Sequence, residues 1–361
     1  MNLHPEYPTG KAIVDDSGAE LFFVDSGAVP NSRNYTTVIL VHGSGANGRT
    51  LYHLVPYAAA SNIRLIIPNR RDYAGSTPYT DQELEALKKG QDSAMENIAK
   101  EMARLCQWFI ETQSLPRISS DRKNGGIVLM GWSLGNATTI SLFGWPDAIG
   151  KETLGLLEGY IRRLVIWDAP HLALGLLSTQ PSEGYNPFID PALKTPIEMT
   201  TNFCNWVTSY YNHPDLSLRE GTAACLDFNT KSAEEPRPTI WKLVDPEGSE
   251  IFRSDMFELT ALGRSEMPMY FEPMQSTLKR QTYEALWNGV LTLPQVDVVW
   301  MTGTRTNWYC IWGWFEAEKR CKSLESQSRS TTFVEVEGAN HMVNWDEPQK
   351  FWDALVTAVA L

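Results

Sequence analysis

Long apolar runs are missing from this 361-residue chain, and nothing in it approaches the roughly 18 consecutive residues that a membrane-crossing helix requires. The opening stretch "MNLHPEYPTGKAIVDDSGAE" has no basic flank followed by an apolar core. A secretory signal there is excluded on that ground, and a cytoplasmic protein is expected. Cysteine is scarce: Cys106, Cys204, Cys225, Cys310 and Cys321 are odd in number and contain no C-x-x-C pair. With no matching histidine spacing either, neither a zinc site nor a disulfide framework is expected, so no metal is assigned. Positive charge is also in deficit, 31 Lys and Arg against 43 Asp and Glu, a net charge of -12. That balance argues against nucleic acid and anionic membranes as partners and leaves a small-molecule substrate. The sequence permits a homodimer.

What is present is ordinary globular material, 43% hydrophobic and 20% charged, enough to bury a large core. Short apolar runs bounded by turn residues recur along the chain. "LFFVDSG" reads as an antiparallel edge strand, and "TTVILVH", "IRLIIP", "GGIVLMG", "IRRLVIWD", "VDVVWMTG" and "TTFVEVEG" read as buried strands. Helical patterns lie between them, most clearly from Asp81 to Gln113, where Leu84, Leu87, Met95, Ile98, Met102, Leu105, Phe109 and Ile110 keep a helical spacing. Gly90 is expected to split that segment in two. Strands alternating with helices predict an α/β fold with a mostly parallel, doubly wound sheet.

The alternation stops for more than 120 residues, from His171 to about Gln295. A structureless loop of that length is improbable, so residues 171–295 are expected to form an inserted helical lid, with helices near Pro196 to Tyr211 and Ser276 to Trp287. The core would then comprise residues 1–170 and 296–361. Phe203, Trp206, Tyr210 and Tyr211 in the insertion either pack the lid or wall a bulky apolar substrate. Trp308, Trp312 and Phe315 carry the same two readings. Trp132, Trp206, Tyr210 and Trp308 are the substrate-binding candidates.

"GGIVLM" is followed by "GWSLGNATTISLF", which sets Gly131, Ser133 and Gly135 as G-x-S-x-G between a strand and a helix. A sharp strand-to-helix turn holds such a serine in a strained conformation with its hydroxyl exposed, and the flanking glycines allow the close approach. The Leu134 N–H would lie at the helix N-terminus, able to donate to a developing oxyanion. A serine needs a base within reach. Of six histidines, His341 in "VEVEGANHMVNWDEP" follows the last expected strand and is the best candidate.

The chain resembles the α/β-hydrolase superfamily through "HGSG" after an early strand, "NRRDYAGST" in place of a D-x-R-G-x-G-x-S turn, "GWSLG" at the elbow and "GANH" near the end. The resemblance covers Thr36 to Leu361 apart from the insertion, which sits where the family carries its lid. It implies the fold, Ser133 as nucleophile, His341 as base, and an oxyanion loop in which Ser44 supplies a backbone N–H beside that of Leu134. It implies no cofactor and does not identify a substrate.

The acid departs from the family pattern. Its usual place follows the strand "VDVVWMTG", yet no carboxylate occurs between Gly303 and Phe315. The other place used in the family, the end of the strand before the lid, offers Asp168. Its work would be to hold the imidazole tautomer and stabilise the imidazolium. Glu316 and Asp346 are the alternatives.

The loop "VILVHGSGANG" also matches G-x-G-x-x-G, with Arg70 and Arg71 downstream to take a 2′-phosphate, which would make an NADP-dependent reductase. His42 before the first glycine, and the elbow plus a late histidine, weigh against it. The expectation is a serine hydrolase cleaving an ester, lactone or thioester of a small, bulky, apolar molecule. An acyltransferase or cyclase of secondary metabolism using the same residues is the alternative, as is a binding protein with a broken triad.

Overall fold

A computed structural model describes residues 7–179, 181–182, 184–228, 256–324 and 327–361. His4 and residues 229–255 of the expected lid lie outside them. Eight strands form one sheet: β1 Thr9–Ile13, β2 Glu20–Asp25, β3 Thr36–Val41, β4 Ile63–Pro68, β5 Ile127–Trp132, β6 Ile161–Trp167, β7 Asp297–Gly303 and β8 Thr331–Val336. Their spatial order is β1-β2-β4-β3-β5-β6-β7-β8. The first two pairings, β1 with β2 and β2 with β4, are antiparallel; the remaining five are parallel. Strands β3 to β6 are buried along their whole length, as a sheet covered on both faces requires.

One strand differs from expectation. "LFFVDSG" is antiparallel but internal, because β1 pairs with its outer side and is itself the edge. β1 reads "TGKAI", with only Ala12 fully buried, so it lacks the apolar alternation that would mark it.

The helices are α1 Asp81–Lys88, α2 Asp92–Gln113, α3 Gly135–Gly144, α4 Pro146–Ile149, α5 Lys151–Glu158, α6 Pro196–Val207, α7 Met274–Leu286, α8 Trp308–Ser323, α9 Val343–Asp346 and α10 Pro348–Ala360. Gly90 separates α1 from α2 at φ +61, and a β-carbon there would meet the Pro273 backbone at 2.7 Å. The glycine is needed both for the turn and for the contact. α3 is buried on every side, with the sheet on one flank and α7 on the other: Gln281 donates to the Ala137 carbonyl at 2.8 Å and accepts from the Trp145 indole at 2.9 Å. α7 thus supports the helix behind the elbow, whereas α6 and the turns around it lie over the carboxyl ends of the strands. Those ends carry His42, Asn69, Ser133, Asp168, Thr306 and His341, each on the loop following a strand, where open α/β sheets collect their ligands.

Candidate active site

Ser133 sits between β5 and α3 with φ +56, in the left-handed region. For a non-glycine residue that conformation costs on the order of 1–3 kcal/mol, and the surroundings hold it. Its N–H donates to the Trp167 carbonyl at 3.1 Å, and the Asn136 amide donates to both the Ser133 and Trp167 carbonyls. The flanking glycines are sterically required. A β-carbon on Gly131 would lie 2.6 Å from the Asn136 backbone, and one on Gly135 would lie 2.5 Å from the carbonyl oxygens of Val41 and His42. Gly43 also abuts the serine, since its β-carbon would stand 2.8 Å from that of Ser133.

His341 follows β8. Its Nδ1 is 2.6 Å from an Asp168 carboxylate oxygen. That aspartate is fully buried and also accepts from the Thr306 hydroxyl at 2.5 Å and the Gly303 N–H at 3.2 Å. A carboxylate accepts only, so the imidazole proton is held on Nδ1 and Nε2 is left as the basic nitrogen. The Trp132 indole donates to the His341 carbonyl at 3.1 Å, tying this loop to the elbow. The other two acids face elsewhere. Glu316 pairs with Arg320 at 2.8 Å along α8, and Asp346 accepts from the Tyr210 hydroxyl and the Asn340 amide. The remaining described histidines have other contacts: His53 stacks on Trp345, His171 on Trp308, and His213 meets the Thr306 carbonyl.

The Cys310 thiol lies 3.5 Å from His341 Nδ1. Among the described residues, Asp168, Cys310 and His341 form the group whose spacing could hold a metal ion. Burial, reinforced by the Asp168 charge, pushes the thiol well above its ordinary pKa.

The loop after β3 is held from beneath. Arg70 N–H donates to His42 Nε2 at 3.0 Å, so the His42 proton is on Nδ1, which donates to the Gly43 carbonyl at 2.9 Å. Burial and the Arg70 charge push the His42 pKa well below its ordinary value. Gly45 N–H donates to the Tyr73 hydroxyl at 2.8 Å and to Glu266 at 3.0 Å, and the Ser44 hydroxyl contacts that of Tyr270. The backbone N–H groups of Ser44 and Leu134 take no acceptor among the described residues.

The dinucleotide reading fails on the same loop. Arg70 is engaged by Glu266 and the Gly43 carbonyl, and Arg71 by Glu83, Glu101 and two further carbonyls, so both guanidiniums are drawn into contacts within the protein. Gly48 merely opens a 3₁₀ turn, Gly48–Tyr57, capped by Asn47.

Ser133 and His341 line one small cavity with Ser44, Trp132, Phe203, Val207, Phe257 and Met342. Its volume is about 20 Å³, room for roughly one water molecule. Of the four aromatic candidates, the structure brings only Trp132 to this cavity. Trp206 packs edge-on to Tyr309, Tyr210 is fully buried and donates to Asp346, and Trp308 donates to the Tyr185 carbonyl. Each is held by packing behind the wall; the polar tips of Tyr210 and Trp308 are satisfied there, whereas the Trp206 indole N–H has no hydrogen-bond partner among the described residues. The residues that do form the lid side, Phe203 and Val207 on α6 with Phe257, share no motif. Thr306, Cys310, Glu266 and Tyr270 were likewise not marked by any spacing.

The alpha/beta hydrolase family model matches residues 38–354. Among solved structures, epoxide hydrolase A from Mycobacterium thermoresistibile superposes with a TM-score of 0.57 at 14% identity, covering 97% of this chain and 98% of that one. A laboratory-evolved variant of potato epoxide hydrolase gives 0.55 at 14% identity over 97% and 98%. An esterase from Exiguobacterium antarcticum gives 0.54 at 14% identity over 97% and 99%. No curated protein matches the chain in sequence. At such identities the structures speak for the fold alone, whereas the family model spans most of the chain from β3 to α10: the protein belongs to the alpha/beta hydrolase family.

Proposed function

We propose that the protein is a serine hydrolase that cleaves an ester, lactone or thioester of a small apolar molecule through an acyl-enzyme. Ser133 attacks the carbonyl carbon while His341 Nε2 takes its proton, and the C–O or C–S bond breaks as that proton passes to the leaving group. Water, deprotonated by the same nitrogen, then releases the acid. Asp168 keeps His341 in the required tautomer and stabilises the imidazolium. The tetrahedral oxyanion lies between the N–H groups of Ser44 and Leu134, where each donor is worth about 2.7–4 kcal/mol.

The observation that carries this reading is the buried Asp168–His341 hydrogen bond of 2.6 Å, set on the same cavity as a serine in left-handed conformation. The acid, base and nucleophile come from three separate strand ends, an arrangement that packing alone gives no reason to assemble. Within the insertion, α6 and Phe257 serve as the cap. Their apolar wall against Ser133 suits a bulky apolar acyl or alcohol group, and a cavity this small requires α6 to yield as substrate enters.

The closed, apolar character of the cavity also favours a second reading, in which the acyl-enzyme passes to an alcohol or an internal nucleophile because water is kept out. Turnover of p-nitrophenyl esters of graded chain length, followed by thioesters, with product identification, separates the two. Free acid is the expected product, and an ester or ring product would favour acyl transfer. Ser133→Ala should lower kcat by several orders of magnitude, and wild-type turnover in that variant would overturn both readings.

A further inference from the structure

We propose that Arg70 and Glu266 are positioning residues that aim the Ser44 amide at the reacting oxygen, so that the inserted stretch completes the active site as well as covering it. The inference rests on the reading of Ser133 as an acyl-transferring nucleophile.

The Gly43 carbonyl and the Ser44 N–H belong to one planar, trans peptide unit and so point in opposite directions. Whatever fixes the carbonyl therefore fixes the donor. Two groups do so from the same side: His42 Nδ1–H and the Arg70 guanidinium, each 2.9 Å from the Gly43 oxygen. Arg70 is held in turn by Glu266, which is buried and comes from the inserted stretch. The Glu266 carboxylate also accepts from the Tyr73 hydroxyl at 2.7 Å and the Gly45 N–H at 3.0 Å, so a single anion gathers the guanidinium and the next amide of the loop.

The same stretch pairs with the loop along the backbone. Asn47 N–H donates to the Met256 carbonyl at 2.8 Å, Glu258 N–H donates to the Gly45 carbonyl at 2.7 Å, and Ala46 bridges Phe257 in antiparallel fashion. Glu266 ends a π-helical turn, Leu262–Glu266, a form that is rare and concentrates at functional sites. Burying an ion pair is a poor source of stability, since desolvation offsets most of the attraction. What this pair supplies is direction, and the direction is that of a catalytic donor. Gly45 at φ +66 lets the chain turn there.

The test uses full-length Arg70→Met and Glu266→Gln. Five quantities are read: kcat and KM on an ester that the wild type turns over, normalised to active sites; the rate of Ser133 phosphonylation by a fluorophosphonate; amide hydrogen exchange over residues 38–48; and thermal melting. Loss of one aimed donor should lower kcat and the phosphonylation rate about 100-fold or more, with KM within about threefold and exchange at Ser44 and Gly45 about tenfold faster. Arg70→Lys, which keeps a donor for the Gly43 oxygen, should recover part of the loss. Unchanged kcat per active site with a lowered melting temperature, or unchanged exchange, overturns the inference. If both variants fail to fold, Tyr73→Phe keeps both charges and removes one contact of Gly45 and Glu266. It should still lower kcat about fivefold to tenfold, and no change would likewise overturn the inference. An inert wild type with an unlabelled Ser133 defeats the hydrolase reading instead, and the exchange comparison still decides whether Arg70 and Glu266 orient the loop.

Discussion

Two turns meet at Ser133, and they are built on different principles. The elbow between β5 and α3 is set within the core sheet: Gly131 and Gly135 remove the β-carbons that would strike Asn136 and the β3 carbonyls, and the Ser133 N–H is held by the Trp167 carbonyl at the end of β6. The loop after β3 owes its shape to residues far along the chain, with Arg70, Tyr73, Glu258 and Glu266 each holding one of its peptide groups. On the proposed reading the nucleophile is thus set by the core sheet, and the group that would stabilise its transition state is set by tertiary contacts, half of them from the insertion. Catalysis by preorganised dipoles requires both to be rigid, but only the second can be loosened by moving the cap.

The comparison can be broken first at the acid. Asp168→Asn keeps the packing but reverses the hydrogen bond to His341, and should lower kcat by about 10⁴. Glu316→Gln, on the helix that pairs it with Arg320, should leave kcat unchanged. Steady-state kinetics on one ester decide between them, and the opposite result would reassign the acid. Next is the elbow itself: Gly135→Val forces side-chain atoms against two carbonyl oxygens already 2.5 Å from a β-carbon. The expected loss is about 1–3 kcal/mol or more of stability, read as a lowered denaturation midpoint together with loss of Ser133 labelling.

A smaller effect is expected at the wall. Phe203→Ala enlarges the cavity beside Ser133 and should shift kcat/KM toward longer acyl chains by roughly tenfold, measured across a graded ester series. Trp206→Phe, behind the wall, should leave that preference unmoved. The smallest effect concerns the loop. His42 is buried neutral with its pKa depressed, so below the ordinary histidine pKa of about 6.5 the unfolded chain binds a proton that the folded one does not. Stability contributed by His42 is therefore complete above that pH and falls with acidification, by up to about 1.4 kcal/mol per pH unit, until the folded pKa is reached. Urea unfolding near pH 7 and near pH 5 should show a drop that shrinks in His42→Gln.

The division between local and distant control also explains what could be read from the sequence. Gly131, Ser133 and Gly135, the split of the long helix at Gly90, and the buried strands β3 to β6 all follow from local sterics or periodicity. The Asp168–His341 contact joins a residue that the family resemblance had marked as one candidate acid, with Glu316 and Asp346 left open, because no carboxylate lies between Gly303 and Phe315. β1 was missed since only one of its residues is fully buried, and its pairing with β2 supplies what its composition lacks. Trp206, Tyr210 and Trp308 stood out as large aromatics, but a large ring satisfies a packed interior and a substrate wall equally well, and only the fold decides which. Glu266 had no signal at all. It lies 196 residues from Arg70 in the chain, and a glutamate in "LTALGRSEMPMYF" carries no mark of the loop it will hold.

The most direct test is fluorophosphonate labelling of the full-length protein, followed by peptide mapping. A single adduct is expected, on Ser133 in the peptide "GWSLG", lost in Ser133→Ala and slowed by several orders of magnitude in His341→Ala. No adduct, an adduct on another residue, or labelling that persists undiminished without His341 would contradict a nucleophile activated by the His341–Asp168 pair.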